Sequence, residues 1–169
     1  MYKIILILSI SILITNHANA QQTINSNVKH DWEDSRYTVN ANNTVTDNKT
    51  NLIWKRCPEG LSGKGCTTDT ATKHNFQDTL DLANDSTYAG FVDWRLPTIN
   101  ELKSIAAYDR NNPAINSAVF PNTPSNWFWS SSREDDNSNY ASILHFYSGN
   151  DDGNFRYGYY YIRLVRGGQ

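Results

Sequence analysis

Gly90-Phe91-Val92-Asp93-Trp94-Arg95-Leu96-Pro97-Thr98-Ile99-Asn100-Glu101-Leu102 turns an extended segment into a capped helix within a few residues. Thr98 followed three positions later by Glu101 is a capping box, in which each side chain satisfies a backbone N–H that the first helical turn leaves unpaired. Pro97 stiffens the entry, and Leu102, Ile105 and Ala106 supply the buried stripe. The helix is predicted to end near Tyr108, because Asn111-Asn112-Pro113 disfavours its continuation. In the extended part, Asp93 and Arg95 share one face and Trp94 takes the other. This arrangement predicts an Asp–Arg pair that ties the helix to a C-terminal sheet, with Asp93→Ala destabilising the fold.

Upstream, Phe76, Leu80 and Ala83 recur at helical spacing between His74 and Asn84, with Asp78 and Asp81 on the other side. Before that helix, Tyr37, Val39, Val45 and Leu52-Ile53-Trp54 surround the turn-forming run Asp47-Asn48-Lys49-Thr50-Asn51, which reads as a β-hairpin. Downstream, residues 141–148 alternate as a strand, Ser148 to Asn154 is a turn, and Phe155, Tyr157, Tyr159 and Tyr161 share one parity. Ile162 and Leu164 lead into a last strand. Strands, two helices, then strands predict an α+β fold with antiparallel sheet(s), two helices and long loops, with residues 36–54 near 160–166.

Further out, Lys3, an apolar run from Ile4 to Ile14 and Ala18-Asn19-Ala20 form a signal peptide over residues 1–20, with cleavage after Ala20. About eleven apolar residues fall short of the ~20 a bilayer span needs, so no membrane span is expected after cleavage. Residues 21–35 are polar and read as a flexible lead-in or edge segment. Residues 36–169 read as one domain. Export makes Cys57 and Cys66 a local disulfide, which restricts the unfolded chain by about 2–3 kcal/mol.

The 169 residues are 38% hydrophobic and 12% aromatic, enough to close a core. A net charge of −2, one unit more negative once Lys3 leaves, gives no general attraction to nucleic acid. His30, His74 and His145 lie in separate segments without zinc-site spacing, and the His30-Asp31-Trp32-Glu33-Asp34 run reads as a solvated flank. Ser130-Ser131-Ser132 has no base placed beside it. Glu134-Asp135-Asp136-Asn137 and Asn150-Asp151-Asp152-Gly153-Asn154 read as exposed turns, with a weak alternative of calcium on Asp151, Asp152 and Asn154. No other cofactor is expected. The aromatic residues read either as the core of a small sheet, the favoured reading for Trp94 and Trp129, or, for Trp127, Tyr157 and Tyr159 equally, as a surface for sugars or proteins: flat rings stack on C–H faces while Arg, Asn and Asp bond hydroxyls. The provisional ligand surface is Trp127, Arg133, Asp152, Arg156, Tyr157 and Tyr159.

Thr46-Asp47-Asn48, Leu52-Ile53-Trp54, Gly90 to Thr98 with Glu101-Leu102, Phe120-Pro121, Trp129-Ser130-Ser131-Ser132 and Ile162-Arg163-Leu164-Val165-Arg166 occur in that order. Over residues 44–168 they resemble the bacterial exported domain family typified by the C-terminal domain of the Lcl collagen-like adhesin, long a domain of unknown function. The structural motif that carries the resemblance is Asp93, Trp94, Arg95, Pro97, Thr98 and Glu101. The resemblance implies a surface-exposed or secreted binding module, related to C-type-lectin-like and sulfatase-modifying-factor folds. It implies no catalytic residues, and attachment to glycosaminoglycans by the named adhesin. This chain has no collagen-like Gly-x-y region, which leaves its oligomeric state open. Its negative charge disfavours sulfated polyanions unless Arg133, Arg156, Arg163 and Arg166 cluster on one face.

The expected function is an exported, periplasmic or cell-surface, non-catalytic adhesion module for glycans or a surface protein. The alternative is a structural component of an envelope or pilus-like assembly. A formylglycine-generating-type enzyme is third and disfavoured, since that chemistry needs reactive cysteines or a metal.

Overall fold

The computed structural model describes residues 22–28, 34–134 and 137–167. The expected signal peptide, His30 to Glu33 and Asp135-Asp136 lie outside them. In chain order the strands before the helices are β1 (Thr23–Ile24), β2 (Tyr37–Val39), β3 (Thr44–Asp47), β4 (Leu52–Lys55), β5 (Leu61–Ser62) and β6 (Thr68–Asp69). Helices α1 (Phe76–Asn84) and α2 (Ile99–Ile105) follow. Strands β7 (Arg110–Asn111), β8 (Trp127–Glu134), β9 (Asn137–His145), β10 (Asn150–Phe155) and β11 (Val165–Arg166) complete an antiparallel α+β fold.

The expected hairpin is a meander, because Asn40 to Asn43 turn the chain once before Asp47 to Asn51 turn it again. Val45 and Trp54 are buried partners across β3 and β4. Val165 of β11 then pairs with Trp54, so the C-terminal strand closes a four-stranded sheet in the order β11-β4-β3-β2. Within the expected lead-in, Thr23–Ile24 take the edge-segment form and pair with Arg110–Asn111.

Strands β8, β9 and β10 form the second sheet. The alternation of Trp127-Phe128-Trp129 divides its two faces. Phe128 and Leu144 enter a core with Trp54, Leu102 and Phe120, whereas Trp129 and Ile143 enter a second core with Phe76, Trp94 and Ile162. The outer edge of β8 is covered by the chain near Tyr161, whose N–H donates to the Trp127 carbonyl and whose carbonyl accepts from the Trp129 N–H. The neighbouring Tyr160 pairs with His74 just before α1.

Both helices begin as their side chains dictate. Asn75 caps α1 by accepting from the Asp78 N–H, and Thr98 and Glu101 make the full reciprocal capping box of α2. Two details differ from the periodicity. In α1 the buried stripe is Phe76, Thr79 and Ala83, while Leu80 is turned outward. Helix α2 ends at Ile105 rather than near Tyr108, because Ala106 turns extended and bridges Ile115, and the Ala107 N–H donates to the Ala114 carbonyl.

Cys57 and Cys66 form the expected disulfide. Its loop is docked by the Asn122 side-chain amide, which donates to the Gly65 and Cys66 carbonyls, and by Arg56, which donates to the Val119 carbonyl.

Candidate functional site

After β10 the chain must turn from the sheet edge onto α1, and Gly158 makes the turn. Its N–H donates to the Phe155 carbonyl, and a Cβ there would sit 2.9 Å from the Tyr160 ring and 3.1 Å from the Phe155 carbonyl oxygen. The turn sorts the following tyrosines. Tyr160 goes inward, with its ring centroid 4.7 Å from that of Trp129, while Tyr157 and Tyr159 stay 72% and 60% exposed.

The exposed rings are ordered by stacking. Phe155 lies 4.1 Å from Tyr140 and 4.9 Å from Tyr157, the latter pair only 19° from parallel. Arg156, between Phe155 and Tyr157 in the chain, is fixed by backbone and side chain together. Its N–H donates to the Asn139 carbonyl, its own carbonyl accepts from the Phe76 N–H, and its Nε donates to the Tyr140 carbonyl. The guanidinium sits 4.6 Å over the Phe76 ring.

The first turn of α1 forms the facing wall. Asn75, Phe76, Gln77 and Leu80 enclose with Phe155, Arg156, Tyr157 and Tyr159 a cleft of about 640 Å³. Asp78 accepts from the Asn75 amide and Asp81 from the Gln77 amide, which orients both side chains. The cleft thus combines aromatic faces, oriented amides and one guanidinium.

Of the six expected ligand residues, Arg156, Tyr157 and Tyr159 meet in this cleft, and Trp127, Arg133 and Asp152 lie outside its lining. Trp127 pairs across the sheet with His145, at the far end of β9 from Tyr140, and packs edge-on against that imidazole at 4.6 Å. Arg133 stands exposed across from Ala141 beside a register shift. Asp152 accepts from the Gly153 N–H. Burial, with a further contribution from the Asp152 charge, raises the Tyr160 phenol.

Helical residues Asn75, Phe76, Gln77 and Leu80 were not singled out as ligand residues. Their sequence signal is the polar Asn75 cap beside an aromatic first turn, and nothing local links it to Tyr157. The weak calcium alternative falls on a strand instead of a turn. Asp151 is paired across from Leu144, Asp152 and Asn154 from Ile143 and Ala141, so alternation separates Asp151 from the other two. Asp151 is ion-paired with Lys103 at 2.7 Å.

The hydroxyl and imidazole groups considered for chemistry hold structure. Ser130 donates to the Ser142 carbonyl, Ser132 accepts from the Ile99 N–H at the start of α2, and His145 Nδ1 accepts from the Tyr147 N–H. Burial lowers the His145 pKa, which favours that neutral form.

The Asp93–Glu101 motif builds the frame rather than the cleft. Arg95 makes a two-pronged contact with Glu101 at 2.8 and 2.7 Å and also donates to the Gly167 carbonyl. Asp93 instead pairs with Arg166, whose guanidinium lies 3.8 Å over the Phe91 ring. The expected Asp–Arg tie is therefore two separate ties to the C-terminal strand. Asp93 is half exposed, so the structural weight falls on Arg95–Glu101 and not on Asp93. Trp94 is buried and donates from Nε1 to the Tyr88 carbonyl, and the Pro97 carbonyl accepts from the Ser131 N–H.

Burial alone would raise the Glu101 carboxyl, but the Arg95 guanidinium and the Thr98 N–H outweigh it and hold the pKa below the ordinary 4.5. A depressed folded-state pKa contributes stability that is present above 4.5 and is lost as pH falls through the folded value. Glu101→Gln should therefore lower thermal stability at pH 7 and flatten the acid limb of a melting-temperature profile below about pH 4.5. An unchanged acid limb would show that the pair does not couple to folding.

The four arginines do not form a basic face. Arg163 is wholly buried and Arg166 is paired with Asp93. Among the described residues no helix is long and apolar enough to cross a membrane. No curated protein matches the chain. The family described as the Lcl C-terminal domain matches residues 43–166, a span that contains the whole cleft and the disulfide.

Proposed function

The chain belongs to the Lcl C-terminal domain family, and from that premise we propose that it is an exported, non-catalytic binding module that recognises glycans in the cleft between α1 and residues 155–159. The observation that carries this reading is the pair of open rings, Tyr157 and Tyr159, beside the oriented amides of Asn75 and Gln77. Aromatic faces left in water favour a partner that covers them, and a sugar ring offers C–H groups to the ring and hydroxyls to the amides. The Cys57–Cys66 disulfide fits export. Ser130, Ser132 and His145 are engaged in the frame, which supports a binding role.

A glycan array followed by titration of the best ligand tests the reading. Tyr157→Ala and Tyr159→Ala should each weaken binding several-fold, and together by about 10-fold or more, with little change in melting temperature because both rings are exposed. Undiminished binding by the double variant would remove the cleft as the site.

A further inference from the structure

Arg156 is the one charged side chain among the described residues that line the cleft. Its position is fixed by two backbone hydrogen bonds, by the bond from Nε to the Tyr140 carbonyl at 3.3 Å, and by the Phe76 ring beneath it. That leaves its two terminal amino groups with no hydrogen-bond or ion-pair partner among the described residues, and no carboxylate lines the cleft to neutralise it. In the same segment, Arg163 is buried and donates to the Lys55 and Arg56 carbonyls and the Thr123 hydroxyl, and Arg166 donates from Nε to the Asp93 carboxylate, which balances its charge.

A guanidinium held rigidly with its fork unspent, beside aromatic faces and in a wall of neutral amides, matches one planar anion on a partly apolar ligand. We propose that the cleft selects a terminal sugar bearing a single carboxylate, with the carboxylate on the Arg156 fork and the ring on Tyr157 or Tyr159. This rests on the glycan reading above. A sulfated polymer would find no row of cations here, so the selection is for one carboxylate and not for polyanionic charge.

The test is titration of the full chain with the methyl glycosides of glucuronic acid and of N-acetylneuraminic acid, each as the free acid and as its methyl ester. These two pairs separate a uronate from a nonulosonate source. At least one acid should bind wild-type protein roughly 10- to 100-fold more tightly than its ester. Arg156→Gln should erase that difference while retaining the weaker ester-like binding, and Arg156→Lys should restore only part of it, because a point charge lacks the fork. Equal binding of both acids and their esters to wild-type protein would overturn the carboxylate inference and leave the glycan reading standing. An acid preference that survives in Arg156→Gln would overturn the role of Arg156. Failure of every glycan on the array to bind, these acids included, would overturn both.

Discussion

Replacement of Trp129 by alanine is expected to cost about 3–5 kcal/mol and to abolish ligand binding at ambient temperature. Trp129 is fully buried, with its ring centroid 5.4 Å from Phe76 and 4.7 Å from Tyr160. Its Nε1 donates to the His74 carbonyl at 2.8 Å. One side chain therefore joins β8 to the start of α1 and to the segment that carries Tyr157 and Tyr159, which are the two walls of the cleft. Removing it leaves a cavity in the second core and takes away one of the two hydrogen bonds that the His74 carbonyl accepts, the other coming from the Tyr160 N–H. Trp129→Phe separates the two contributions, because it keeps most of the packing and loses the N–H, for a smaller cost of about 1–2 kcal/mol. Urea unfolding of the three proteins measures both. A loss below 1 kcal/mol for Trp129→Ala would show that the second core does not organise the cleft.

Arg163→Met should destabilise by about 3 kcal/mol or more, although it replaces a buried cation with an apolar side chain of similar length. Nη1 of Arg163 donates to the Lys55 and Arg56 carbonyls, Nη2 donates to the Thr123 hydroxyl at 2.7 Å, and the guanidinium lies 5.0 Å from the Phe120 ring centroid. Burial pulls its pKa down to about 9, with the Glu59 carboxylate pulling the other way, so the group is still charged at neutral pH. The cost of burying that charge is offset by acceptors from two separate segments, the end of β4 and the 120–123 loop. Methionine removes the charge and takes this donor from the Lys55 and Arg56 carbonyls, at about 1–3 kcal/mol for each one that cannot find water, while the Thr123 hydroxyl keeps its bond to the Phe120 carbonyl. Because the same loops dock the disulfide segment, the variant should also expose the 57–66 loop to proteolysis. Denaturant unfolding decides the matter: stability equal to wild type would mean that the acceptors find other donors.

What the sequence made legible was whatever depended on neighbours in the chain. Thr98 and Glu101 announce their capping box because the whole motif spans one helical turn, and the two faces of Trp127-Phe128-Trp129 follow from strand alternation alone. Cys57 and Cys66 were the only pair to join. Pairings across distance were not legible in the same way. Glu101 already served the cap, and nothing in its spacing marked it as the partner of Arg95. Arg163 was grouped with Arg133, Arg156 and Arg166 as arginines that would have to share one face for polyanion binding, yet chain closure against β4 carries it into the interior.

The candidate site divides along the same line. Phe155, Tyr157 and Tyr159 were visible as one parity of a polar hairpin, whereas Asn75, Phe76 and Gln77 are brought beside them by long-range contacts: the Arg156–Phe76 backbone bond, the Arg156 guanidinium over the Phe76 ring and the His74–Tyr160 bridge. Trp127 shares the aromatic character but lies toward the His145 end of β9, because antiparallel register, not composition, sets position along a sheet. A second hollow of about 460 Å³, lined by Gln22, Asn112, Ser117 and Asn122, has neither an exposed ring nor a charge to recommend it for the same ligand.

The central claim is that the cleft between α1 and residues 155–159 holds the ligand, and an NMR titration of isotope-labelled protein with the tightest glycan from the array tests it most directly. The largest shifts should fall on Asn75, the Arg156 side chain, Tyr157 and Tyr159. Shifts confined to the Trp127–Tyr147 end of the sheet or to the Gln22–Asn122 hollow, with those four residues unmoved, would contradict it.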